Sequence, residues 1–140
     1  MGTVRKPVAA GAVLVLAAAL MAAIPSPARA AAGCTAGGCH GRDPSATGCA
    51  SGASTAVSFA GASVRVELRW SAGCRANWAR ATAAPAGHVL FVENEHGARQ
   101  SLTIPRGRNT NFTAMVDGSG RSRACLGIAD SDVLSCTGWR

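Results

Sequence analysis

The residues with the richest chemistry in this chain are its six cysteines, Cys34, Cys39, Cys49, Cys74, Cys125 and Cys136. Cysteine at fixed spacing can ligate a metal, anchor a haem or form a disulfide framework. The intervening stretches are 4, 9, 24, 50 and 10 residues, with no C-x2-C knuckle of the kind that zinc sites use. Cys39-His40 after Cys34 invites the haem reading, with His88, His96 or Met115 as the second axial ligand. Covalent haem attachment places two residues between its cysteines, and here there are four. An even cysteine count in a short chain reads as three disulfides, and no metal or other cofactor is expected.

Other reactive groups form no catalytic set. The chain has no Gly-x-Ser-x-Gly elbow, and its three histidines sit beside no recognisable partner motif. Glu67, Glu93 and Glu95 are candidate glycosidase carboxylates, but Glu67 is expected on the solvated face of a strand, paired with cations. Asp130-Ser-Asp132 is a fragment of a calcium loop without its glycine and terminal glutamate. The sequence therefore gives no catalytic residue, and a non-enzyme is expected.

Arginine and tryptophan offer recognition instead. Arg65, Glu67 and Arg69 fall on one face of an alternating stretch, with Arg80 across from them. The plain interpretation is a solvated face with weak ion pairs; the functional one is a binding face of Arg65, Arg69, Arg80 and Trp139. Trp70 and Trp78 are expected in the core, because few other large side chains exist to fill it. Trp139 is expected to dock, tied down by nearby Cys136.

The elements that must carry these groups begin with a leader. Arg5 and Lys6, the apolar run from Val8 to Ile24, and Ala28-Arg29-Ala30 have the layout of a secretory signal over residues 1–30. Cleavage there leaves one domain, residues 31–140, with all six cysteines and no membrane span. That domain holds 11 Arg against 7 acidic residues, and its arginines are scattered. Their scatter favours a compositional origin for the charge, and no nucleic-acid partner is expected. An anionic envelope polymer or a protein outside the cell fits better.

Residues 31–63 are rich in small and polar residues and read as an irregular, disulfide-pinned segment. Val64 to Trp70 then alternates apolar and charged, the signature of a half-buried strand. Cys74–Thr82 is a partner strand, with a short helix as the competing reading; 88–94 and 100–104 are further strands. Asn111–Val116 and Arg121–Ile128 flank Asp117-Gly118-Ser119-Gly120, which predicts a hairpin. The fold class expected is mainly β: a small antiparallel sheet, sandwich or barrel-like domain with a loop-rich N-terminal segment. Six cysteines allow fifteen pairings. Cys125 with Cys136 is the local choice, and Cys34 or Cys39 with Cys49 or Cys74 would pin the N-terminal segment to the first strand.

The elements Cys34-x4-Cys39-x-Gly41-x-Asp43-Pro44-x3-Gly48-Cys49, Val66-Glu-Leu-Arg-Trp-Ser71 and Cys74-Arg-x2-Trp-Ala-Arg80 resemble the YjfA-like family of exported bacterial proteins, common in actinobacteria. Ala124-Cys125 and Cys136-Thr-x-Trp139 fit it as well. The resemblance implies a domain of unknown function and carries over no catalytic residue. The expected function is a secreted, non-catalytic module that binds a ligand outside the cell or in its envelope. The alternative is a secreted effector, either a hydrolase inhibitor or an antimicrobial factor.

Overall fold

The computed structural model describes Gly2, Thr3, Gly11, residues 33–131 and residues 134–140. The leader read over residues 1–30 lies, but for the first three of these, outside the described residues, as does Asp132 of the calcium-like fragment. Among the described residues, no helix is long and apolar enough to cross a membrane.

Alternation becomes strand wherever it was read. β1 is Ser54–Gly61, β2 Val64–Ser71, β3 Ala76–Thr82, β4 His88–Asn94 and β5 Arg99–Thr103. β6 is Thr110–Phe112, β7 Val116–Asp117, β8 Ser122–Ile128 and β9 Leu134–Cys136. They form two antiparallel sheets. The first runs β1-β2-β3-β6, with β7 also on β3; the second runs β5-β4-β8-β9. Val66 and Leu68 of β2, Ala79 and Ala81 of β3, Leu90 and Val92 of β4 form one apolar cluster between the sheets. The chain is thus a β-sandwich with an alanine-rich interior. The β4–β5 turn forms where Asn94 Oδ1 accepts hydrogen bonds from the backbone N–H of His96 (3.1 Å) and Ala98 (2.9 Å). Gly97 takes the left-handed φ of +86° that this turn needs.

The outer face of the first sheet has a core of its own. Ala76 and Trp78 of β3 pack there with Met115 and with Cys39, Cys49 and Cys74. The N-terminal segment that supplies the first two cysteines has a single 3-10 turn, Ala36–Cys39, and lies over the sheet by backbone bonds. The Ala36 N–H donates to the Cys74 carbonyl (2.7 Å), and Gly41 N–H to the Met115 carbonyl (2.9 Å). Its disulfides are Cys34–Cys39 and Cys49–Cys74; Cys125–Cys136 joins directly opposed residues of β8 and β9. The local C-terminal pairing is as expected. The N-terminal pairing is not the one expected: neither Cys34 nor Cys39 bonds Cys49 or Cys74, because Cys34 closes on Cys39 across the 3-10 turn, and Cys49–Cys74 fastens the segment to the sheet.

Three further readings of the strands need correction. Residues 31–63 are not irregular throughout: β1 pairs along β2 and turns Val57 and Phe59 toward the core. Trp78 is core as expected, in the outer cluster, but Trp70 is not. They stand opposite Asn77 and Arg69, on opposite faces of the first sheet, and Trp70 is only half-buried. Asp117-Gly118-Ser119-Gly120 does not turn a hairpin. β7 pairs with β3 and β8 with β4, so the tetrapeptide carries the chain from one sheet to the other.

That crossing depends on glycine for space. A Cβ on Gly118 would lie 2.5 Å from Trp70 Cζ3, 2.8 Å from Asn77 Oδ1 and 3.0 Å from the Arg75 carbonyl. Gly118→Ala is therefore expected to destabilise the domain by about 1–3 kcal/mol through overpacking. Urea unfolding measures this, and a change below about 0.5 kcal/mol, the level of a surface substitution, would mean that the crossing has room to give.

Candidate functional site: an arginine face around Glu67

Strand register assembles the site. Glu67 of β2 lies opposite Arg80 of β3, and Arg69 lies opposite Trp78. Period-two alternation then puts Arg65, Glu67, Arg69, Trp78 and Arg80 on one face. Phe112 of β6, paired with Arg80, continues it.

Glu67 is the electrostatic centre. Contrary to the solvated position expected for it, the residue is only 5% exposed. Arg80 donates to its carboxylate through Nε (2.7 Å) and Nη2 (3.0 Å), a bidentate pair. Thr55 Oγ1 of β1 donates to the Glu67 Oε1 (2.8 Å), and Arg65 Nε sits 3.6 Å away. Arg69 donates to the Thr55 hydroxyl and, through Nη2, to the Ala53 carbonyl (2.9 Å). The Arg80 hydrogen bonds outweigh the opposing effect of burial, and the Thr55 hydroxyl and the Arg80 and Arg65 charges add to them. Together they hold the Glu67 carboxyl down at about 2. Burial and the neighbouring Arg80 charge push the Arg69 guanidinium below the usual arginine value. The hydrogen bond to Glu67 raises Arg80.

Beside this cluster is a recess of about 230 Å³, lined by Arg69, Trp78, Arg80, Phe112, Pro44 and Thr110, among others. Trp78 is 3% exposed, so its ring is largely covered by the elements around it. Three guanidiniums surround one carboxylate, which leaves two positive charges in excess. Another recess, of about 220 Å³, includes Phe59, Val64, Leu126 and Ile128, with no arginine or acid among its lining residues. Of these two recesses, the charged one is chemically equipped to select an anion.

The expected binding face is only partly assembled. Arg65, Arg69 and Arg80 come together, but Trp139 does not join them. It lies on the other sheet, with the Arg123 guanidinium 4.7 Å from its ring centroid. Arg123 and Arg99 both pair with Glu93 there, and Arg99 stacks 4.0 Å over Phe91. Burial raises the Glu93 carboxyl, but hydrogen bonds from Arg99 and Arg123 overcome this and lower it. Asp130 and the glutamates do not gather into a catalytic pair: Glu93 is held by Arg99 and Arg123, and Glu95 by Arg121.

A family model described as a protein of unknown function (DUF2690) matches residues 37–125, a span that includes Cys39, Cys49, Cys74, the arginine face and Cys125 but not Cys34. The chain belongs to the DUF2690 family. No curated protein and no solved structure matches it. The DUF2690 match covers Glu67, Arg69 and Arg80 along with the strands that place them, but leaves out Cys136 and Trp139. Sequence reasoning found the arginines of this site. It missed Thr55, whose hydroxyl links Arg69 to Glu67, and the recess walls at Pro44 and Phe112. Those lie far from β2 in the chain, and no periodic pattern announces them.

Proposed function

We propose that this DUF2690 chain is an exported, non-catalytic module that binds an anionic polymer of the cell envelope at the Arg65–Arg69–Arg80 face. The observation that carries this reading is the charge imbalance beside the recess: three arginines against one buried glutamate. Arginine recognises phosphate and carboxylate through its planar fork, and half-buried Phe112 gives the recess an apolar wall. The leader-like residues 1–30 and the three disulfides support a place outside the cytoplasm. The resemblance to YjfA-like exported proteins of actinobacteria supports the same setting. Binding requires no reactive group, in keeping with the pairing of each glutamate to arginine.

The purified chain is expected to bind teichoic acid, with an affinity that falls as salt rises. Arg69→Gln should weaken binding about tenfold or more, the effect of losing one charge-assisted contact. Neutral chitin should not bind. Equal binding to chitin, or an unchanged affinity in a folded Arg69→Gln variant, would overturn the reading.

A further inference from the structure

The two disulfides beside the arginine face are not separate staples. Cys34 Sγ lies 3.6 Å from Cys49 Sγ, across the two bridges, and the sulfurs of Cys34, Cys39, Cys49 and Cys74 all lie within 4.8 Å of one another. A tetrahedral zinc with Zn–S bonds of about 2.3 Å has S···S edges of about 3.8 Å. The linear spacing of these cysteines argues against a zinc knuckle, yet the fold gathers four of them within 4.8 Å, and once reduced the two bonded pairs need only part to reach the edge that zinc requires.

We propose that, in the reduced chain, Cys34, Cys39, Cys49 and Cys74 form a closed tetrathiolate site for a divalent soft-to-borderline metal, with Zn²⁺ as its ligand. The surroundings suit a structural metal. Cys39, Cys49 and Cys74 are buried and Cys34 is half-buried, packed against Trp78, Met115 and Ala76. The backbone around them also carries hydrogen bonds of its own. Ala36 N–H donates to the Cys74 carbonyl, Cys74 N–H to Ser71 Oγ (3.2 Å), and Met115 N–H to the Arg42 carbonyl (3.0 Å). Rotation of the side chains about χ1 opens each bonded pair around a central ion. Four protein ligands leave no open position, so the site is structural and not catalytic.

The chemistry balances with a dithiol as reductant. Two equivalents deliver four electrons and four protons to the two disulfides and are themselves oxidised to disulfides, which leaves four protein thiols. Zinc then displaces the four protons and forms a Zn(S–Cys)₄ centre of charge −2. Cysteines of a chain not yet exported meet these reducing conditions. The same four positions would thus hold the N-terminal segment over the sheet in either redox state. Cys125 and Cys136 bridge β8 and β9 in the other sheet and supply only two sulfurs.

The test is a titration of the full chain, reduced by a phosphine under nitrogen, with Co²⁺ and then Zn²⁺. A single equivalent of Co²⁺ is expected, with a thiolate charge-transfer band in the near ultraviolet and intense tetrahedral bands in the red. Zn²⁺ should bleach these bands and raise the melting temperature of the reduced chain. The double variant Cys125→Ser/Cys136→Ser should keep the bands, and Cys39→Ser/Cys49→Ser should lose them. Three results would overturn the proposal: absence of tetrahedral bands, bands that survive Cys39→Ser/Cys49→Ser, or equal metal affinity when urea has unfolded the reduced chain. The last would mean that loose thiols, and not the folded cluster, hold the metal.

Discussion

Replacing Cys49 and Cys74 together by alanine is expected to cost about 3–4 kcal/mol from chain entropy alone, the largest loss of the three disulfides. The two residues are 25 apart in sequence, against 5 for Cys34–Cys39 and 11 for Cys125–Cys136. On the same scale those shorter loops contribute about 2 and about 3 kcal/mol. Burial widens the gap. Both Cys49 and Cys74 are buried against Trp78 and Met115, so truncating them leaves space in a core that has little else to fill it. Domain stabilities are typically about 5–15 kcal/mol, so this one bridge can account for a large share of the total. Urea unfolding of the three double-alanine variants, under oxidising conditions, gives the order. If the Cys125–Cys136 variant is the least stable, then the N-terminal segment contributes little to the fold, and its role as cover for the first sheet fails.

The second large effect is on acid stability and centres on Glu67. Its carboxyl titrates near 4.5 when unpaired and at about 2 in the folded chain. A depressed folded value means that the unfolded chain binds the proton more readily. The stabilisation is therefore complete above pH 4.5 and disappears as pH falls from 4.5 toward 2. The difference corresponds to roughly 3 kcal/mol at neutral pH. Glu67→Gln should forfeit about that much at pH 7, since it leaves Arg80 and Arg65 without their counter-charge. Glu93, Glu95 and Asp117 are also lowered, so the parent chain loses stability in acid for several reasons. The diagnostic is the difference between the parent and Glu67→Gln: wide at pH 7, and shrinking as pH approaches 2. A gap of constant width would assign the loss to packing and not to charge.

Much of this was readable in the residues, for reasons that can be named. Val64 to Trp70 alternates strictly because one face meets the other sheet and the opposite face carries the arginine cluster. The same reading placed Arg80 across from that face, while its register opposite Glu67 is set by the pairing of β2 with β3. Asn94 to Gly97 is a turn because its side-chain oxygen and a left-handed glycine both demand one. What escaped the reading was non-local. Glu67 has the sequence context of an exposed residue, and only the approach of Arg80 and Thr55 from neighbouring strands covers it. β1 hides because Ser, Thr and Ala dilute the signal of Val57 and Phe59. Asp117 to Gly120 has hairpin chemistry, yet β3 captures one side and β4 the other. Cysteine spacing along the chain said nothing of the four sulfurs that converge beneath Trp78.

The route of the chain between the sheets bears on how fast the domain assembles. β1, β2 and β3 form a meander, and β4–β5 and β8–β9 are pairs of successive strands, so each can close early over short loops. The contact of β4 with β8 is different, because β5, β6 and β7 lie between them in the chain and two of those belong to the opposite sheet. Pairing across such a separation must wait for a long loop to close, which is the feature that slows folding in β proteins. Until β8 arrives, β4 has an open edge, and that edge is where a nascent chain is most exposed to pairing with a neighbour.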